Sequence, residues 1–208
     1  MHKGSLLFIY VKLFLTAVFW GGTFIAGRIV AKDVGPFAAS FLRFATASIF
    51  LLFITLKIEG KIPILKKGQI VPIILLGMTG VFAYNVFFFK GLKIIEAGRA
   101  SLIIANNPIF ITLFATYFFK EKLNVIKVTG IIISVIGAII VISRGNFLDL
   151  LNGSAGWGEF YIFCCVLTWV TYTLIGKAIM KDLSPFIPVF YSSVVGAAAL
   201  FVPAYFEG

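Results

Sequence analysis

Carboxylates are scarce in this chain: eight Asp and Glu residues stand among 208, and the single histidine is His2. None of the eight lies in the middle third of a long apolar run. A proton antiporter usually needs an intramembrane carboxylate or histidine to carry its proton, so proton coupling through these residues is not expected. Other absences narrow the chemistry further. No Walker lysine loop is present, which sets aside ATP as the direct driver. There is no H-E-x-x-H, no intramembrane aspartate pair and no Cys/His cluster, which removes the common membrane protease chemistries. The two cysteines, Cys164 and Cys165, are adjacent, a poor geometry for pairing with each other. They read as small buried hydrophobes. An enzyme, a cofactor and a bound metal are therefore not expected.

What the chain has in abundance is apolar surface. Hydrophobic residues make up 61% of it, charged residues 12%, and 24 residues are phenylalanine. A soluble domain keeps roughly a quarter of its residues charged, so this composition calls for lipid as solvent. The net charge of +10 sits in short clusters between apolar runs. That is the pattern of loops at an anionic membrane face, and no nucleic-acid partner is expected. Seven runs are long enough to cross, given that a spanning helix needs about 20 apolar residues: 6–30, 36–56, 69–89, 97–119, 125–142, 157–180 and 185–206. Helices are the default, because hydrocarbon offers the backbone no outside partner. The runs are too continuously apolar for barrel strands. Lys12 interrupts the first run and no small-x-small site follows a short apolar stretch, so it reads as span one rather than a cleaved signal. With the N-terminus inside, the inner loops and span ends collect eleven Lys and Arg and the outer ones six, leaving Arg43 within a span. That asymmetry favours an inside N-terminus.

The chain also repeats itself after 149 residues. Residues 20–37, WGGTFIAGRIVAKDVGPF, align without a gap with residues 169–186, WVTYTLIGKAIMKDLSPF. Six of the eighteen positions are identical, Trp20/Trp169, Gly27/Gly176, Lys32-Asp33/Lys181-Asp182 and Pro36-Phe37/Pro185-Phe186 among them. Five spans fill one period, and an odd number turns the second copy upside down, a building plan of secondary transporters. The expected architecture is thus an all-α polytopic bundle with seven spans of an expected ten. Residues 1–149 would form a first five-helix repeat, and residues 150–208 would begin the second with two helices. Either the chain is a fragment or it is a short form that completes itself as a homodimer. The fragment is the expectation, because a half-finished repeat leaves helix faces without partners.

Four motifs carry a family resemblance: W-G-x-x-F at 20–24, Arg43-Phe44 in span two, Asn107-Pro108 in span four, and Lys120-Glu121-Lys122-Leu123 at its end. In order and spacing they resemble the drug/metabolite transporter superfamily, specifically the EamA-domain type. Gly156-Trp157-Gly158-Glu159, leading to Trp169, looks like the opening of that family's second repeat. The resemblance implies a ten-helix carrier in the cytoplasmic (inner) membrane that exports or exchanges small metabolites, amino acids among them.

Several residues are candidates for the work. Asn106, Asn107 and Pro108 lie near the middle of span four, where proline frees a carbonyl and transporters place substrate. The plainer alternative is a packing kink whose amides bond neighbouring helices. Asn85, beside Tyr84 in span three, is deep enough to point into the bundle, as substrate contact or as interhelical glue. Trp20 and Trp169 occupy equivalent repeat positions and fit the walls of a central cavity or ordinary packing equally well. Thr23, Tyr172 and Thr173 follow them within a turn as hydroxyl donors. Arg43 needs something to offset a buried charge: a substrate carboxylate, a carbonyl cluster, a gating partner, or snorkelling to the surface. Its repeat counterpart is Ser192, so the fold itself does not require the charge. Glu121 reads as a solvated loop ion or an inner-gate partner. Gly130, Ser134 and Ala138 form a small-residue stripe assigned to packing. Taken together, these readings lead to a secondary-active carrier of a small neutral or zwitterionic metabolite that works by alternating access. A non-selective multidrug pore and a non-transporting membrane partner are the alternatives.

Overall fold

A computed structural model describes residues 3–120, 123–142, 156–179 and 183–207. Every one of the seven apolar runs is helical there, and no strand occurs among the described residues. The first two helices are α1 (Lys3–Asp33) and α2 (Pro36–Glu59). The third span has three pieces: α3 (Lys67–Leu76), a π-helical turn (Gly77–Ala83) and α4 (Tyr84–Ile94). The fourth is split into α5 (Ala97–Ile104) and α6 (Asn107–Phe119). Then come α7 (Val125–Ile142), α8 (Trp157–Ile179) and α9 (Phe186–Glu207).

Six of these segments are long and apolar enough to cross a bilayer. The exception among the expected seven is α7, whose eighteen residues rise about 27 Å, just short of a hydrocarbon core of about 30 Å. The protein is an all-α polytopic membrane protein. Its exterior is dense in large apolar side chains; Phe14 and Phe19 on α1, for instance, are 68% and 72% exposed. In water that surface would be prohibitive, whereas lipid solvates it.

The helices with the most extensive mutual contact are α2 and α9, related by the 149-residue offset. Helix α9 also lies tightly on the π turn, and small residues explain how. A Cβ on Gly196 would come 2.9 Å from the carbonyl oxygen of Gly77 and into the side chain of Val81. Only glycine lets the two backbones approach this closely. Elsewhere α4 packs on α8 around Phe88, Leu92, Ile162, Cys165 and Val166, all buried. Cys165 is buried and Cys164 partly so, and both are free thiols.

Polar contacts tie the helix ends. At one end the carboxylate of Glu207 accepts from the backbone N–H groups of Phe37 and Ala38, at 2.6 and 2.8 Å. It thereby satisfies open donors at the positive end of the α2 dipole. At the same end the Arg28 guanidinium donates to the Leu92 carbonyl, and Arg99 pairs with the buried Glu159 at 3.0 Å. At the other end the Tyr191 hydroxyl donates to the Pro63 carbonyl at 2.8 Å, and the Lys177 ammonium sits 4.9 Å from the Phe119 ring centre.

The small-residue stripe on α7 behaves differently from expectation. Nothing lies within 4 Å of a Cβ built on Gly130, so that residue packs against no described neighbour. Ser134 does meet one, donating to the Asn106 Oδ1 at 3.2 Å. The Ala138 side chain, Glu121 and the Lys181-Asp182 half of the repeat lie outside the described residues.

Candidate functional site

A small cavity of about 80 Å³ lies where α1, α2, α4, the α5/α6 break and α8 converge. Its walls are Trp20, Thr23, Phe24, Arg43, Tyr84, Phe88, Ile104, Asn107 and Trp169. Each of the intervening elements places one kind of chemistry there.

Helices α1 and α8 contribute the two tryptophans that the repeat relates. Their rings meet edge to face, with centroids 5.9 Å apart and planes at 85°. Tyr84 lies 5.3 Å from the Trp169 ring and stacks on Phe88 at 6.0 Å, and Phe24 meets Phe88 at 5.3 Å. The aromatic wall is therefore continuous. Thr23 donates its hydroxyl hydrogen to backbone carbonyls of its own helix, at 2.7 Å to Trp20 and 3.0 Å to Phe19. What it presents to the cavity is thus an acceptor.

The α5/α6 break contributes Asn107. Pro108 has no N–H to give the carbonyl of Ile104, so the helix cannot run through, and α6 restarts with Asn107 in its first turn. Asn107 is 7% exposed, and its Oδ1 has no hydrogen-bond partner among the described residues. A buried amide oxygen left unpaired costs about 1–3 kcal/mol, which a donor entering the cavity would relieve.

Helix α2 contributes Arg43. Its Nη1 donates to Asn85 Oδ1 at 3.1 Å, and the guanidinium also lies near the rings of Phe44 and Phe88, at 5.7 and 5.8 Å. Asn85 is held in turn: its amide donates to the Val81 carbonyl at 2.8 Å, within the π turn. Such π turns recur at functional sites.

The cavity gathers Trp20, Thr23, Arg43, Tyr84, Asn107 and Trp169 from among the residues singled out in the sequence. It leaves out four. Asn85 lies behind Arg43. Asn106 is turned toward α7, held by Ser134 and by its own bond to the Leu102 carbonyl at 2.8 Å. Pro108 is exposed and lines no part of the cavity, acting through the break it makes. Tyr172 stacks on Trp169 at 5.3 Å and fills the space over Gly80, where a Cβ would run into its ring. Phe24, Phe88 and Ile104 were not foreseen; in a chain with 24 phenylalanines no local signal separates two cavity walls from the rest. A second, larger hollow of about 580 Å³ between α6 and α8 is lined by Phe114, Phe118, Leu167, Leu174 and similar residues. With one hydroxyl, Thr171, among its side chains, it offers little to orient a polar ligand.

The model of the EamA-like transporter family matches residues 7–143. The chain is 30% identical over 202 residues to the uncharacterized transporter YyaM of Bacillus subtilis, covering 95% of this chain and 65% of that protein. It is also 30% identical over 192 residues to an uncharacterized transporter of Archaeoglobus fulgidus, covering 92% of this chain and 66% of the relative. The chain thus spans about two thirds of the length of these relatives. No solved structure matches it.

Proposed function

The chain belongs to the EamA-like transporter family, and from that premise we propose that it works in a secondary-active carrier of a small metabolite, an amino acid or a related compound. The observation that carries the reading is the cavity itself. Two tryptophans 149 residues apart in sequence meet edge to face in its wall, beside a buried amide oxygen at a helix break that is unpaired among the described residues. Substrate sites of such carriers lie at repeat interfaces built from broken helices.

In this reading residues 1–149 form the first five-helix repeat and residues 150–208 open the second. Rocking of one against the other exposes the cavity alternately to the two faces. The cavity is small beside the roughly 300–1,000 Å³ of drug-sized sites, which suits the polar end of a small metabolite. The carrier resides in the cytoplasmic membrane with its N-terminus inside, and its direction is export.

The test is counterflow in proteoliposomes made with the full chain. Vesicles loaded with unlabelled L-alanine should accumulate labelled L-alanine transiently and saturably. Trp169→Ala should abolish the overshoot. Linear, unsaturable flux would favour a pore instead. No flux of any of the twenty common amino acids would overturn the reading.

A further inference from the structure

The cavity lining holds two sets of groups of opposite chemistry. One is Arg43, a cation and a donor of hydrogen bonds only. The other comprises acceptors: the unpaired Oδ1 of Asn107 and the Thr23 hydroxyl oxygen, whose hydrogen is already committed to its own helix. Arg43 sits eight residues into a 24-residue span, and no carboxylate among the described residues pairs with it. Its hydrogen bond goes to a neutral amide, Asn85. A guanidinium has five N–H donors arranged to match a carboxylate. Most of that capacity is left open on a side chain that lines the cavity and remains exposed.

We propose that Arg43 is the receptor for a substrate carboxylate. The site takes a small zwitterion, its carboxylate on Arg43 and its ammonium on the Asn107 oxygen beside the aromatic wall. This deepens the carrier reading above and rests on it for the cavity's being a substrate site. Asn85 is a positioning residue: anchored to the Val81 carbonyl, it fixes where the guanidinium sits.

The test is binding, independent of transport. Trp20 and Trp169 line the cavity, so their fluorescence reports occupancy; Trp157→Phe removes the third tryptophan as background. The purified full chain is titrated with L-alanine, propionate and ethylamine. L-Alanine should bind at least tenfold more tightly than ethylamine, with propionate between them. Arg43→Gln should weaken L-alanine and propionate at least tenfold and leave ethylamine unchanged, and Arg43→Lys should fall between. Asn85→Asp places a tethered carboxylate against the arginine and should cause the same loss while keeping the charge. If Arg43→Gln does not fold, the wild-type ligand series and Asn85→Asp still decide. Ethylamine binding as tightly as L-alanine, absence of carboxylate binding to the wild type, or unchanged L-alanine affinity in folded Arg43→Gln or Asn85→Asp would each overturn the assignment. Counterflow separates the two readings. Arg43-dependent binding without transport sinks the carrier and keeps the carboxylate site, whereas saturable transport indifferent to Arg43 does the reverse.

Discussion

Asn106 and Asn107 are adjacent and chemically identical, yet one is tied to Ser134 of α7 and the other lines the cavity, its oxygen buried and unpaired among the described residues. The break between α5 and α6 sets this division. Their alanine variants should therefore separate. Asn106→Ala should lower thermal stability by about 0.6–2 kcal/mol, the range for interhelical polar contacts in membranes, and leave substrate affinity alone. Asn107→Ala should do the opposite, weakening apparent affinity with little change in melting temperature; counterflow and a detergent melt read both. Trp20 is 59% exposed, so Trp20→Ala removes little packing. Losing its edge-to-face partner and substrate contact should weaken affinity about three- to tenfold, the equivalent of 0.5–1.5 kcal/mol. At this scale the sequence was informative about which residues were unusual. It was silent about direction, because the two amides, 100° apart around a helix, cannot be told from each other by composition.

Among the elements, the contrast between Gly196 and Gly130 is the clearest. Gly196 lies against the Gly77 carbonyl and Val81, and any larger residue must push α9 off the third span. Gly196→Leu should destabilise the fold by about 1–3 kcal/mol as overpacking. Gly130 meets nothing within 4 Å, so Gly130→Ala should be neutral or stabilise by about 0.5–1 kcal/mol through backbone entropy. Thermal melts of the two variants check the pair. Glu159 presents another element-scale test, since it joins α8 to Arg99 on α5 and also accepts from the Gly156 N–H at 2.9 Å. Glu159→Gln leaves a buried guanidinium without its counter-charge and should cost about 3 kcal/mol. A four-residue recurrence of small side chains marks α7 as a packing helix in the sequence, but whether a partner lies opposite is a tertiary matter. The π turn, likewise, has no sequence signature beyond Gly77 and Gly80.

For the whole molecule, the alternation of spans groups the helix ends into two sets. Glu207, Asp33 to Phe37, Arg28 and Leu92 share one end; Pro63, Tyr191, Phe119 and Lys177 share the other. The lysines crowd toward the second set, which is the cytoplasmic end under the orientation proposed above. In a background with Cys164 and Cys165 replaced by serine, Lys61→Cys should resist an impermeant thiol reagent added to intact cells. Glu96→Cys, between α4 and α5, should react with it. The reverse pattern would invert the topology. The pairing of α2 with α9, and of Trp20 with Trp169, is what a two-fold relation between repeats would produce.

By itself the sequence determined the class of solvent, the number and positions of the apolar runs, the 149-residue repeat and the family. The first two follow from composition, a local quantity: hydrocarbon demands helices of a given length wherever twenty apolar residues stand together. The repeat and the family rest on motifs, W-G-x-x-F at 20–24 and Asn107-Pro108 among them. Tertiary structure alone decided which side of each helix faces inward. It took Asn85 and Asn106 out of the cavity wall, seated Tyr172 over Gly80, and brought Phe24, Phe88 and Ile104 in. The reason is that in lipid both faces of a helix are apolar. The hydrophobic stripe that betrays the inner face of a soluble helix is absent here, and only close packing at glycines and a few polar contacts choose the rotation.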